Sequence, residues 1–143
     1  MAGLMVEPAA TGPQRYRARY SSGPGALRRV RSDVALCLHT WGLDGPVIDD
    51  AQCVASELVA NAIRHTRTQR IGMSVTRTGQ DSVRITVTDS SRQPPVPLTS
   101  PGDPVAESGR GLLMVEALAQ DWGSKIVPYG KRVWADVVAG AAP

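Results

Sequence analysis

The sequence predicts an α+β fold, a two-layer sandwich in which a mostly antiparallel sheet is covered on one face by helices. Three observations carry the prediction. Two helical patterns follow one another between about residues 26 and 66. Strand-like alternation recurs in pairs of stretches joined by tight turns, at 70–89 and again at 122–138. The element order is one strand, two helices, two strands, a long loop, a helix and two strands. At 143 residues the chain is one domain, large enough for a real core but short for two.

Residues 1–14 read as a flexible N-terminal tail, with Pro8, Gly12 and Pro13 and no periodicity. The domain is expected over residues 15–138, with 139–143 a short C-terminal tail. A first strand is expected at Arg15–Ser21, where Arg15, Arg17 and Arg19 alternate with Tyr16, Ala18 and Tyr20. One face of that strand is cationic; it either meets an anionic partner or is the wet side of the sheet. Ser22 to Gly25 forms a turn, and Ala26–Trp41 a helix with apolar positions at Leu27, Val30, Val34, Leu36, Cys37 and Leu38. Gly42 to Pro46 breaks it, and a second helix runs from about Val47 to Thr66.

Within that second helix, Glu57, Asn61 and His65 are spaced by four and form one polar ridge. The opposite arc holds Ala55, Leu58, Val59, Ala62 and Ile63, an apolar face wide enough to sit on a sheet. A carboxylate, a carboxamide and an imidazole on one ridge are groups that position a metal, a water or a phosphate. The plainer alternative is the ordinary polar side of a helix.

Strands are expected at Arg70–Thr78 and Ser82–Asp89, joined by a hairpin turn through Gly79 and Gln80. Val83, Ile85 and Val87 face inward, and strict alternation puts Asp89 on the same face. A carboxylate ending an apolar row is costly unless something satisfies it, although Asp-Ser-Ser is also good turn chemistry. From Ser90 to Ser108 there is no periodicity and there are five prolines, the marks of a lid or binding loop. Gly109-Arg110-Gly111 then feeds an apolar helix at Leu112–Gln120. Free backbone N–H groups and a positive dipole end at such a helix start suit a phosphate. Strands at Trp122–Pro128 and Lys131–Val138 close the chain.

The bulk composition narrows the classes. Fourteen of the sixteen basic residues are Arg, and the net charge is +3. No apolar run approaches a membrane span, and Met1 to Gln14 lacks the basic lead and apolar core of a signal peptide. A cytoplasmic location without membrane contact is expected. Cys37 and Cys53 lack metal spacing, and with His39 and His65 the only histidines a His-rich metal site is excluded.

With these stretches in line, the chain resembles the GHKL ATP-binding superfamily, the Bergerat fold, and within it the anti-sigma-factor serine/threonine kinases. The N-box resembles Glu57 to His65, the Asp box Val87 to Ser91 and on to Pro94, and the glycine box Gly109 to Leu113, running on to Gly123. The likeness covers roughly Arg15 to Val138, in the family's order. It implies ATP and Mg²⁺ as ligands, with Asn61 holding the Mg²⁺ that bridges the triphosphate. It implies Glu57 as the general base toward a protein hydroxyl or water. It implies Asp89 as acceptor from the adenine amino group, and Gly109, Arg110 and Gly111 as the phosphate cradle, with Leu112 completing the glycine box. His65 takes a supporting place near the nucleotide. Ser91, counted with the nucleotide-binding residues, stands where many relatives carry glycine. Lys131-Arg132 stands where the last strand often begins with Thr.

The function so implied is an ATP-binding regulator that phosphorylates Ser or Thr of an anti-sigma-factor antagonist and sequesters a sigma factor. A homodimer is compatible, since relatives are often dimers. The alternative is a catalytically idle nucleotide-binding switch that acts by protein binding alone. A histidine-kinase catalytic fragment fits less well, because the chain lacks room for a dimerising hairpin. No DNA-reading motif accompanies Arg15, Arg17 and Arg19, so direct nucleic-acid binding is not expected.

Overall fold

Alternating apolar residues in four of the strands build one side of a single antiparallel sheet, and two amphipathic helices cover it. The computed structural model describes residues 5–7, 14–65, 70–90 and 113–139, with only the backbone of 5–7 and His65. The strands are β1 (Met5–Glu7), β2 (Arg15–Ser21), β3 (Arg70–Gly79), β4 (Ser82–Asp89), β5 (Asp121–Val127) and β6 (Gly130–Val138). The helices are α1 (Ala26–Thr40), α2 (Gly45–His65) and a short α3 over residues 113–118. The sheet order is β1-β2-β3-β4-β6-β5, antiparallel throughout. The last strand is thus inserted beside β4, and β5 forms the far edge. This is the expected α+β sandwich.

Tyr16, Ala18 and Tyr20 point into the core while Arg17 and Arg19 point out, so β2 has the two faces its alternation predicts. Tyr20 donates to Asp33 Oδ2 on α1 at 2.6 Å, and the Tyr16 ring meets Trp41 edge-on with centroids 6.3 Å apart. Burial, then the hydrogen bond to Asp33, pushes the Tyr20 phenol far above its usual range. Burial alone pushes the Cys37 thiol up to about 12, which makes it an inert core residue as its spacing suggested.

Several boundaries differ from the sequence expectation, each for a local reason. The N-terminal segment contributes β1, whose Met5 and Glu7 lie opposite Arg17 and Arg15. The tail is therefore corrected to include an edge strand. Three residues are too few to show a period, and the pairing partner is supplied by β2. α1 stops at Thr40 because Gly42 adopts φ +78, with Gly42 N–H donating to His39 and Leu43 N–H to Leu38, both at 3.0 Å. That is a Schellman closure, with Leu38 and Leu43 both in the core. α2 begins at Gly45, two residues early, since Pro46 lies in a first turn that needs no N–H from it. Ile48 N–H donates to the Asp44 carbonyl at 3.0 Å there. α3 ends at 118 instead of Gln120, because Gln120 N–H is already bonded to Asp136 in β6 at 2.8 Å.

α2 packs across β3, β4 and β6, and α1 packs against β2 and α2. Among the described residues no helix is long and apolar enough to cross a membrane.

Candidate functional site

The α2 stretch carrying the polar ridge is buried almost all round. Val54, Ala55, Leu58, Val59 and Ala62 join the core. Ser56 and Asn61 are also buried, at 2% and 3% exposure, and Glu57 is half-buried. An ordinary wet helix side is thereby excluded for Asn61. Burying a carboxamide costs free energy unless it meets a polar group, so Asn61 is a candidate functional side chain and not ordinary core filling.

The neighbours of Glu57 come from three elements. Arg31 of α1 donates from Nε to Ser56 Oγ at 2.9 Å, tying the two helices together next to the ridge. Cys53, one turn before Glu57, places its Sγ 3.2 Å from Met114 Sδ of α3. Burial, and then the Glu57 carboxylate, push the Cys53 thiol up, with Arg31 opposing. The Arg31 guanidinium and the Glu57 carboxylate therefore both act on Cys53.

Asp89 ends β4 on the inward face, as alternation predicts, and is 4% exposed. Lys131 lies directly opposite it on β6 and is itself 1% exposed. Their charges are 3.9 Å apart, Nζ to Oδ2, an ion pair longer than a hydrogen bond. β6 passes so close that a Cβ on Gly130 would overlap the Asp89 carbonyl. The end of β4 is thus held by backbone contact on one side and by a buried cation on the other. A cavity of about 290 Å³ opens at this end of the sheet, lined by Asp89, Ser90, Arg70 and Ile71 together with Arg19, Gly72, Thr88 and Tyr129, so it reaches the outward face and no described residue of α2 borders it.

Breaking a buried pair from one side typically costs about 3–5 kcal/mol, because the other charge is left uncompensated. Lys131→Met should therefore lower the unfolding free energy by about that amount. Adding Asp89→Asn to it should restore most of the loss in denaturant titration. Two additive losses would mean that the charges do not interact.

The structure brings Glu57 and Asn61 onto one ridge of α2, half-buried at Glu57 and buried at Asn61, and sets Asp89 on the sheet that α2 covers. Ser91, Gly109, Arg110, Gly111 and Leu112 lie outside the described residues, as do the His65 side chain, residues 91–108 of the expected lid, and the tail beyond Ala139. The residue that sequence reasoning underweighted is Lys131. Its signal was available: alternation with Val133, Ala135 and Val137 places it inward. Among the described residues there is no group of three or more His, Cys, Asp or Glu able to hold a metal. The donor chemistry fits Mg²⁺ nonetheless, since this ion takes oxygen ligands, keeps several waters, and is usually held by one or two protein groups plus phosphates. The Asn61 amide oxygen is such a group.

No curated protein matches the chain. The family model of the histidine kinase-like ATPase domain matches residues 20–136, from the end of β2 through most of β6. The match covers α2 and Asp89 together with the segment between β4 and α3, and the sheet and helices are those of the GHKL, or Bergerat, ATPase fold. The chain belongs to the histidine kinase-like ATPase domain family, the ATP-binding domains of this fold.

Proposed function

We propose that the protein is an ATP-dependent serine/threonine kinase of the anti-sigma-factor type, which phosphorylates an antagonist protein and holds a sigma factor when the antagonist is spent. The observation that carries this reading is Glu57, a half-buried carboxylate one helical turn before the buried Asn61. A nucleotide-binding module without chemistry has no need of a base at that position.

In this reading residues 15–138 form the ATP-binding domain. Asp89 accepts from the exocyclic amino group of adenine, and Asn61 offers its amide oxygen to Mg²⁺, which when bound neutralises phosphate charge. Glu57 would accept the proton of the attacking Ser or Thr hydroxyl as its oxygen bonds to the γ-phosphorus and the bond from that phosphorus to the β–γ bridging oxygen breaks, with ADP as the leaving group. Gly109, Arg110, Gly111 and Leu112 line the phosphates, while Ser91 and His65 support the nucleotide from the flanks. Burial of the Asn61–Asp89 layer strengthens each of these electrostatic contacts.

A second reading, an idle nucleotide-dependent switch, draws on Lys131, whose ammonium engages the carboxylate that the base requires. The two separate in one assay. The kinase reading expects radiolabelled γ-phosphate to move from Mg²⁺-ATP to Ser or Thr of candidate antagonist proteins. Nucleotide binding without transfer to any antagonist would leave the switch.

A further inference from the structure

The sheet face away from the helices carries charge of one sign, and its register gives that charge a shape. Three rows run across five strands. The first is Arg19, Gly72, Thr88, Arg132 and Lys125; the second is Arg17, Ser74, Thr86, Trp134 and Gly123. The third is Arg15, Thr76, Arg84, Asp136 and Asp121. Together they form a shallow trough of about 830 Å³. Its floor is Gly72, Ser74, Thr86 and Thr88, all small. One wall is the arginine row of β2, and the other is Arg132, Lys125 and Trp134.

No carboxylate lines this trough among the described residues, while six Arg or Lys side chains do. The chain's net charge is +3, so setting those six aside leaves −3 for everything else. Basic character is therefore concentrated on this face and is not a general property of the chain. Two outward carboxylates, Asp121 and Asp136, stand side by side at one end, and the register of β1 sets Glu7 opposite Arg15 at the edge beyond β2. Asp136 is spent on Arg84, with contacts of 2.8 and 3.0 Å. The Arg84 guanidinium in turn lies 4.4 Å from the centre of the Trp134 ring and covers it.

We infer that this trough is a docking surface for an acidic α-helix of a partner protein. The walls are three strand spacings apart, about 14 Å. A helix with its side chains is about 10–12 Å across, so it fits between them with carboxylates reaching both rows. Arginine forks suit carboxylates, and a floor of Gly, Ser and Thr lets a helix approach closely. A second copy of this face is a poor occupant, because six cations would meet six. A single nucleic-acid strand is held by stacking successive bases on open aromatic platforms; here the Trp134 ring in the wall is capped by Arg84, and Tyr129 at the rim is a single open ring among the described lining residues. The inference does not depend on the kinase reading: among the described residues none assigned to the nucleotide lines the trough, and only its end at Arg19, Gly72, Thr88 and Tyr129 adjoins the cavity beside Asp89.

The test uses the full chain, a fluorescent Glu/Ala helical peptide, and an oligothymidylate of equal charge. The peptide should bind, more tightly than the oligonucleotide. Arg19→Glu with Lys125→Glu should weaken it at least tenfold, about 1.4 kcal/mol. Arg28→Glu with Arg29→Glu, an equal charge change on exposed positions of α1, should leave affinity within about threefold. Ser74→Trp fills the floor without changing charge and should also weaken the peptide at least tenfold, provided its melting temperature shows that it folds. The inference is overturned if the wild type ignores the peptide, if the α1 variant loses as much, or if filling the floor changes nothing. Tighter binding of the oligonucleotide would overturn it too, and make the face a nucleic-acid site.

Discussion

Glu57→Ala is expected to lower phosphoryl transfer about 10²–10⁴-fold while nucleotide affinity stays close to that of the wild type. Loss of a general base removes an interaction made only as the hydroxyl is deprotonated, so the effect falls on turnover and not on binding. Asn61→Ala should behave differently. It takes away an oxygen ligand, so Mg²⁺-dependent binding and transfer should fall together. Single-turnover rates and equilibrium affinities measured on both variants check the contrast. Equal transfer by Glu57→Ala and wild type would make Glu57 a packing residue whose carboxylate merely sits near Cys53.

Gly130→Val is expected to cost about 3 kcal/mol of stability and the nucleotide site with it. The atom a side chain would strike is the Asp89 carbonyl oxygen, with the Ser90 Cα close behind. Both belong to the backbone, so no rotamer change relieves the overlap, and β6 must move away from the end of β4. That shift displaces Asp89 and its pairing with Lys131 at once. Thermal unfolding should show a fall of about 10 °C. Gly72→Ala, where an added Cβ meets nothing within 4 Å, is the control and should stay near the wild type. Comparable losses for the two would mean that the site tolerates β6 at a distance.

The helix–sheet layer was legible because its information is local. Period-two alternation exposed both faces of β2, β3, β4 and β6, and the spacing of four showed that Glu57 and Asn61 share a ridge. Inward Asp89 followed from counting along β4. What could not be read locally was pairing. β1 exists only because β2 offers it an edge, and three residues carry no period of their own. Lys131 looked like a departure in the last strand. Its meaning came from the insertion of β6 beside β4, which sets it against Asp89. The trough is of the same kind: Arg19, Arg132 and Lys125 are far apart in sequence and share one row only through the strand order. Pro46 misled in the opposite direction, since a residue that breaks a helix interior also starts a helix well.

The measurement that tests the central claim most directly is calorimetric titration of Mg²⁺-ATP into the wild type and Asp89→Asn. A nucleotide site built on Asn61 and Asp89 predicts one saturable site per chain. It also predicts at least a tenfold loss in the variant, where a buried acceptor gains a donor face toward the adenine amino group. Saturable binding that is indifferent to Asp89→Asn, or no binding heat from the wild type at saturating nucleotide, would contradict it.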